Sequence, residues 1–152
     1  MIPLKILNKN EKKEIENKLL NQFGIKEING IFLKRGAERI FLFQGNFEIK
    51  DIKKLESNVL IERVGVYFGK IQNDMVRLSV EGIHLLKNQI TKNIFELNKE
   101  QSIQWMKGEE LNIETGKKEF LIMKYNDDFI GCGKASEKKI TNYIPKNRRL
   151  KK

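Results

Sequence analysis

After Glu137 this 152-residue chain has no acidic side chain, while Lys138, Lys139, Lys146, Arg148, Arg149, Lys151 and Lys152 follow. Such a run suits contact with phosphates, because each phosphate neutralised releases condensed counterions and makes binding favourable and steeply salt-dependent. The two arginines are the stronger candidates, since a guanidinium forks onto phosphate or stacks on an unpaired base where lysine acts as a point charge. The alternative is a frayed, solvated end, which fits the terminal Lys151 and Lys152 better than the others. These seven charges are seven of a net +10. A balance of that sign points to polyanions, with nucleic acid ahead of an anionic membrane surface.

Other reactive residue types are sparse. His84 is the sole histidine, so neither a nucleophile with a spare base nor a His-rich metal site can be made without it, and a structural or partly exposed place is expected. Cys132 is the sole cysteine, which excludes an intrachain disulfide and a cysteine-based zinc cage; a reducing, cytoplasmic setting is expected. The adjacent pairs Glu109-Glu110 and Asp127-Asp128 diverge in a strand or a turn, so neither reads as a metal or acid/base site. Gly65 to Lys70 lacks the spacing and the following Ser or Thr of a phosphate loop, and a tight strand turn is the better reading. Lys70 and Arg77 stay as weak candidate contacts. No glycine-rich fingerprint for a methyl-donor or dinucleotide cofactor follows any strand, so no cofactor is expected. The lone Trp105 could stack on a base, but core packing is the favoured role.

The elements that must position these residues follow from apolar spacing. Asn10 is the expected cap of an amphipathic helix bearing Ile15, Leu19, Leu20 and Phe23, with Gly24 at its C-terminal αL position. Runs at 25–28, 31–33 and 39–43 suggest an antiparallel meander, with Asn29-Gly30 as one hairpin turn. A short helix at 50–56, strand residues at 59–61, 64–68 and 75–80, and a helix at 81–88 complete a first unit. The pattern then restarts. A strand at 94–97 and a helix at 99–107 precede strands at 111–113, 120–125, 129–135 and 140–144, the last stopped by Pro145. No flexible linker divides the halves, so a fixed interface is expected. No apolar run approaches the ~20 residues of a membrane span, and the N-terminus has no signal-like apolar region.

The order Gly65-Val-Tyr-Phe-Gly69-Lys70, Val76-Arg-Leu-Ser-Val80 and Gly82-Ile-His-Leu-Leu86 resembles the junction before the PUA domain in a ribosome-biogenesis family. Those are the PUA-containing proteins of archaea and eukaryotes that process large-subunit pre-rRNA. Lys92-Asn-Ile-Phe-Glu-Leu97, the helix with Trp105 and Gly108, and Phe129-Ile-Gly-Cys-Gly-Lys134 look like successive PUA pieces. The ending Asn142-Tyr-Ile-Pro-Lys-Asn-Arg-Arg-Leu150 is also similar to the close of the PUA-like extension of Sun-type rRNA cytosine methyltransferases. The resemblance covers roughly residues 60 to 150, and its motifs gain weight from their order more than singly. One departure is the polar, charged stretch 107–119, where the family often has a more apolar strand.

The resemblance implies an α+β protein: an N-terminal antiparallel sheet with helices over 1–90, followed by a PUA-like β-barrel over 91–152. It implies a non-catalytic RNA-binding protein in ribosome biogenesis or rRNA processing and modification. The RNA would be rRNA or tRNA-like, with a ribosome-assembly or RNA-modification protein as a second partner and no membrane. Lys92, Lys134, Lys138, Lys139, Lys146, Arg148 and Arg149 are the expected RNA contacts. Gly131 and Gly133 would let the RNA backbone approach beside Lys134, or else merely relieve crowding in a bulged strand. Two alternatives stand beside this reading: an RNA-targeting module acting in trans with a Sun-type methyltransferase, and an RNA-processing enzyme.

Overall fold

The computed structural model describes residues 4–44 and 65–151. The helix expected at 50–56 and the strand residues at 59–61 and 64 lie outside them. The chain runs β1 (Leu4–Ile6), α1 (Lys9–Phe23), β2 (Ile31–Arg35), β3 (Arg39–Phe43), β4 (Val66–Gln72), β5 (Met75–Leu78) and α2 (Val80–Leu86). It continues through β6 (Ile94–Glu96), α3 (Lys99–Met106), β7 (Phe120–Tyr125), β8 (Asp128–Ala135) and β9 (Ile140–Asn142) to a 3-10 turn at Lys146–Arg148. The mixed architecture of helices and two sheets agrees with the expected class. The first sheet is a five-stranded antiparallel meander in chain order; the second has four strands, with β6 parallel to β7 and the rest antiparallel. This second sheet is open, in the order β6-β7-β8-β9, and does not close into the expected barrel. In the polar stretch before β7, the strand expected at Leu111 and Ile113 shrinks to a single bridge from Leu111 to Ile140.

Helix α1 is capped by Asn8, not Asn10. Asn8 Oδ1 accepts from the Glu11 amide, and the Glu11 carboxylate accepts from the Asn8 amide, so two orphan donors are satisfied at once. This arrangement, with Lys5 beside it, holds the Glu11 carboxyl below its ordinary pKa. Ile15, Leu19 and Phe23 form the buried stripe at i, i+4 spacing, while Leu20 turns out to solvent. Gly24 ends the helix at φ 77°, as expected.

The run 25–28 buries Ile25 and Ile28 without joining a sheet. Its backbone is satisfied largely by side chains: Gln89 Oε1 accepts from the Lys26 and Glu27 amides, Gln89 Nε2 donates to the Glu27 carbonyl, and the Glu16 carboxylate accepts from the Ile28 amide. Asn29-Gly30 is therefore not a hairpin turn. In the first sheet, hairpin turns lie at Gly36, between β2 and β3, and at Asn73-Asp74, whose φ values of 53° and 62° match a type I′ turn. Gly65 to Lys70 is likewise not a turn but runs into β4. There Gly69 lets the Arg77 carbonyl oxygen lie where a Cβ would collide with it.

Strand β7 ties the two sheets together through its alternation. Phe120 and Ile122 face a cluster shared with Phe68, Leu78 and Ile83 of the first half, while Leu121 and Met123 face a second cluster around Trp105 and Ile140. Both faces of β7 are buried, which accounts for its uninterrupted apolar run. The end of α1 is sealed by the segment that opens the second half. The Thr91 amide donates to the Phe23 carbonyl at 2.8 Å and Asn93 Nδ2 donates to the Gln22 carbonyl at 2.6 Å.

Candidate nucleic-acid interface

The 3-10 turn and Leu150 carry the tail cations back across the fold instead of letting them fray. The Leu150 amide donates to the Met106 carbonyl at 2.8 Å, fastening the tail to the end of α3. Arg149 Nε donates to the Ile144 carbonyl at 2.9 Å, and its side chain lies over Gly108, whose φ of 87° and missing Cβ leave room for it. Arg149 is thus largely consumed in holding the tail. Arg148 is half-exposed and paired with the Glu81 carboxylate of α2.

The other sequence-derived candidates divide in the same way. Lys92 Nζ donates to the Asn21 carbonyl at 3.3 Å, placing its charge at the carbonyl end of α1, where the helix dipole favours a cation. Lys134 Nζ donates to the Lys118 carbonyl and lies 5.4 Å from the centroid of the Phe120 ring. Lys139 pairs with Glu110 at 3.3 Å. Lys138 and Lys146 are exposed and make no ion pair among the described residues. Those candidates that have partners are thus held by different parts of the fold. Lys70 pairs with Glu38 at 3.1 Å, and the Arg77 guanidinium lies 4.1 Å from the centroid of Tyr143, so both weaker candidates are also engaged.

Gly131 and Gly133 face inward. A Cβ on Gly133 would meet Trp105 Cη2 at 2.6 Å, and one on Gly131 would meet Trp105 Nε1 at 3.1 Å. The two glycines relieve crowding against a fully buried tryptophan, and Trp105 is core, not a stacking platform. Cys132 points from the opposite face of β8 into the first cluster, and burial pushes its thiol up to about 12.

A cleft of about 970 Å³ lies where the tail crosses the fold, between α2 and the β7–β8 hairpin. One wall is α2 and the turn that follows it: Val80 and His84 stand one helical turn apart, Lys87 caps the helix and Asn88 lies beyond it, while Ile83 and Leu86 turn to the core. The opposite wall is the hairpin, with Lys124, Asp127, Asp128, Phe129 and Ile130. Met106 and Ile144 add apolar surface, and Arg148 is the one expected contact residue that lines the cleft. Sequence reasoning passed over Lys87, Lys124 and Phe129. A helix over 81–88 is legible in the sequence, but nothing local says that a hairpin some forty residues later faces it.

Among the described residues no three His, Cys, Asp or Glu side chains come together as a metal site, and no helix is long and apolar enough to cross a membrane. The second half of the fold, an open sheet with a capped helix and a basic strap, is where a relationship to a known family is found. Residues 92–150 match the family described as the methyltransferase RsmF PUA domain. A PUA domain supports RNA binding by this part of the chain. No curated protein matches the sequence.

Proposed function

We propose that the chain is a non-catalytic RNA-binding protein of the cytoplasm that serves ribosome biogenesis or rRNA processing and modification. The observation that carries this reading is the match of residues 92–150 to a PUA domain. The charge distribution supports it, because a net +10 with an acid-free end favours a polyphosphate partner. In this reading the segment 91–152 holds the RNA. The free cations Lys138 and Lys146, with Arg148 where it can exchange Glu81 for a phosphate, supply the backbone contacts. The described part of the segment 1–90 packs against it through the cluster around Phe68 and Phe120, and this half offers the surface for a protein partner. Crosslinking in cells followed by sequencing of the attached RNA tests the assignment. Enrichment of pre-rRNA or rRNA is expected, and recovery of no RNA above background would overturn it.

A second reading is favoured by the particular family matched, which is a methyltransferase PUA domain. The chain would then act as an RNA-targeting module in trans with an rRNA cytosine methyltransferase. Co-purification of such an enzyme with the full chain, persisting after nuclease treatment, would select this reading over the first.

A further inference from the structure

We propose that the cleft between α2 and the β7–β8 hairpin receives a single unpaired nucleotide, stacked on Phe129, so that the protein prefers RNA with a bulged or splayed base over a continuous duplex. The inference rests on the RNA-binding reading above and adds the structural class of RNA.

Three features of the cleft carry it. Its volume of about 970 Å³ falls within the roughly 300–1,000 Å³ of ordinary small-ligand pockets, a scale suited to a nucleotide and not to a helix of nucleic acid. Its lining is of mixed sign: Lys87, Lys124 and Arg148 are cations, and Asp127 and Asp128 are carboxylates. A groove built only to follow a phosphate backbone gains nothing from two carboxylates, which repel it. A nucleotide uses both signs, because its phosphates take the cations while a base edge bearing N–H groups donates to the carboxylates.

The third feature is the apolar surface between these charges. Phe129 and Ile130 are only partly buried, and they lie on the same hairpin as the two aspartates. Phe129 packs on the first core cluster and Ile130, its strand neighbour, on the second, so the partly exposed ring of Phe129 is by itself the platform for an unstacked base, and a base already outside a helix enters without the cost of unpairing. Arg148 reaches the cleft from the tail and is paired there with Glu81, so a phosphate arriving at this point competes with one carboxylate for one guanidinium. The tail and the cleft then act as one surface.

The test uses the full chain and two hairpin RNAs of equal length, one carrying a single bulged 2-aminopurine and the other with that residue paired. The bulged RNA is expected to bind about tenfold more tightly, with quenching of the 2-aminopurine on stacking. Phe129→Leu keeps the apolar bulk that packs on the core but removes the ring; it is expected to lose the quenching and most of the preference while retaining binding to the paired hairpin. Lys87→Gln and Asp128→Asn are surface changes expected to reduce the preference several-fold without unfolding the protein. Equal affinity for the two hairpins with unchanged fluorescence would overturn the cleft as a nucleotide site and leave RNA binding standing. Binding to neither hairpin would overturn both.

Discussion

The ring of Trp105 fills the space that side chains at two positions of β8 would need: a Cβ on Gly133 would stand 2.6 Å from its Cη2, and one on Gly131 would stand 3.1 Å from its Nε1. The tryptophan is fully buried and anchors the second core cluster. Gly133→Ala therefore forces the indole or the strand to move and should cost about 1–3 kcal/mol of stability by overpacking. Trp105→Ala, which empties the site, should cost about 3–5 kcal/mol. Urea unfolding of the variants checks both values, and a wild-type midpoint for Gly133→Ala would show that Trp105 is not packed in this way.

Arg149 belongs to the fold more than to a ligand. Its Nε donates to the Ile144 carbonyl and its stem covers Gly108. Arg149→Ala should lower stability by about 1–2 kcal/mol through the lost charge-assisted hydrogen bond and packing. Its effect on RNA affinity should be smaller than that of Lys138→Ala or Lys146→Ala, whose side chains are exposed. Thermal melts and binding titrations on the three variants separate the roles.

Asn98 caps α3 with the same reciprocal box that Asn8 builds on α1, the Gln101 side chain returning to the Asn98 amide at 2.9 Å. Asn98→Ala should cost about 0.5–2 kcal/mol, and Asn98→Asp, which retains the acceptor, should cost less. Denaturant midpoints read the difference.

Cys132 gives a pH-dependent signature. In the unfolded chain its thiol ionises near the ordinary 9.0, whereas burial holds the folded thiol protonated to about 12. Between these values the unfolded state releases a proton that the folded state keeps, so stability is intact below pH 9.0 and declines as pH rises toward 12. Cys132→Ala should flatten that part of the stability profile. The native thiol should also resist alkylation at pH 8 until the protein unfolds, because the nucleophile is the thiolate.

The residues that show how much was legible are those whose signal is local. The helix ended by Gly24, the 94–97 and 120–125 strands and the helix before Gly108 all follow from apolar spacing and turn chemistry that a short window contains. The errors have non-local causes. Asn29-Gly30 has the composition of a hairpin turn, but Gln89, sixty residues away, takes the backbone partners that a neighbouring strand would have supplied. Asn10 looked like a cap because it stands before two acidic residues, yet Asn8 is the one spaced to reciprocate with Glu11. Closure of the second sheet into a barrel was expected from resemblance, and the polar stretch 107–119 yields only one bridge there.

The candidate site divides along the same line. Charge is additive along a sequence, so the basic end was evident without a structure. Which cations are free is decided by tertiary partners: Asn21 for Lys92, Lys118 for Lys134, Glu110 for Lys139 and Ile144 for Arg149. Only the fold brings Arg148 to a cleft whose other cations, Lys87 and Lys124, come from two separate elements.

RNA binding carried by the basic surface of the second half is tested most directly by the salt dependence of affinity. Titrations of a structured rRNA fragment should give a linear fall of log K with log salt, with a slope near −0.7 to −0.9 for each phosphate neutralised. The triple change Lys138→Ala, Lys146→Ala and Arg148→Ala should make that slope shallower by about two to three such units while the fold, read by circular dichroism, is retained. A slope near zero for the wild-type protein, or the same steep slope after the triple change, would contradict this account.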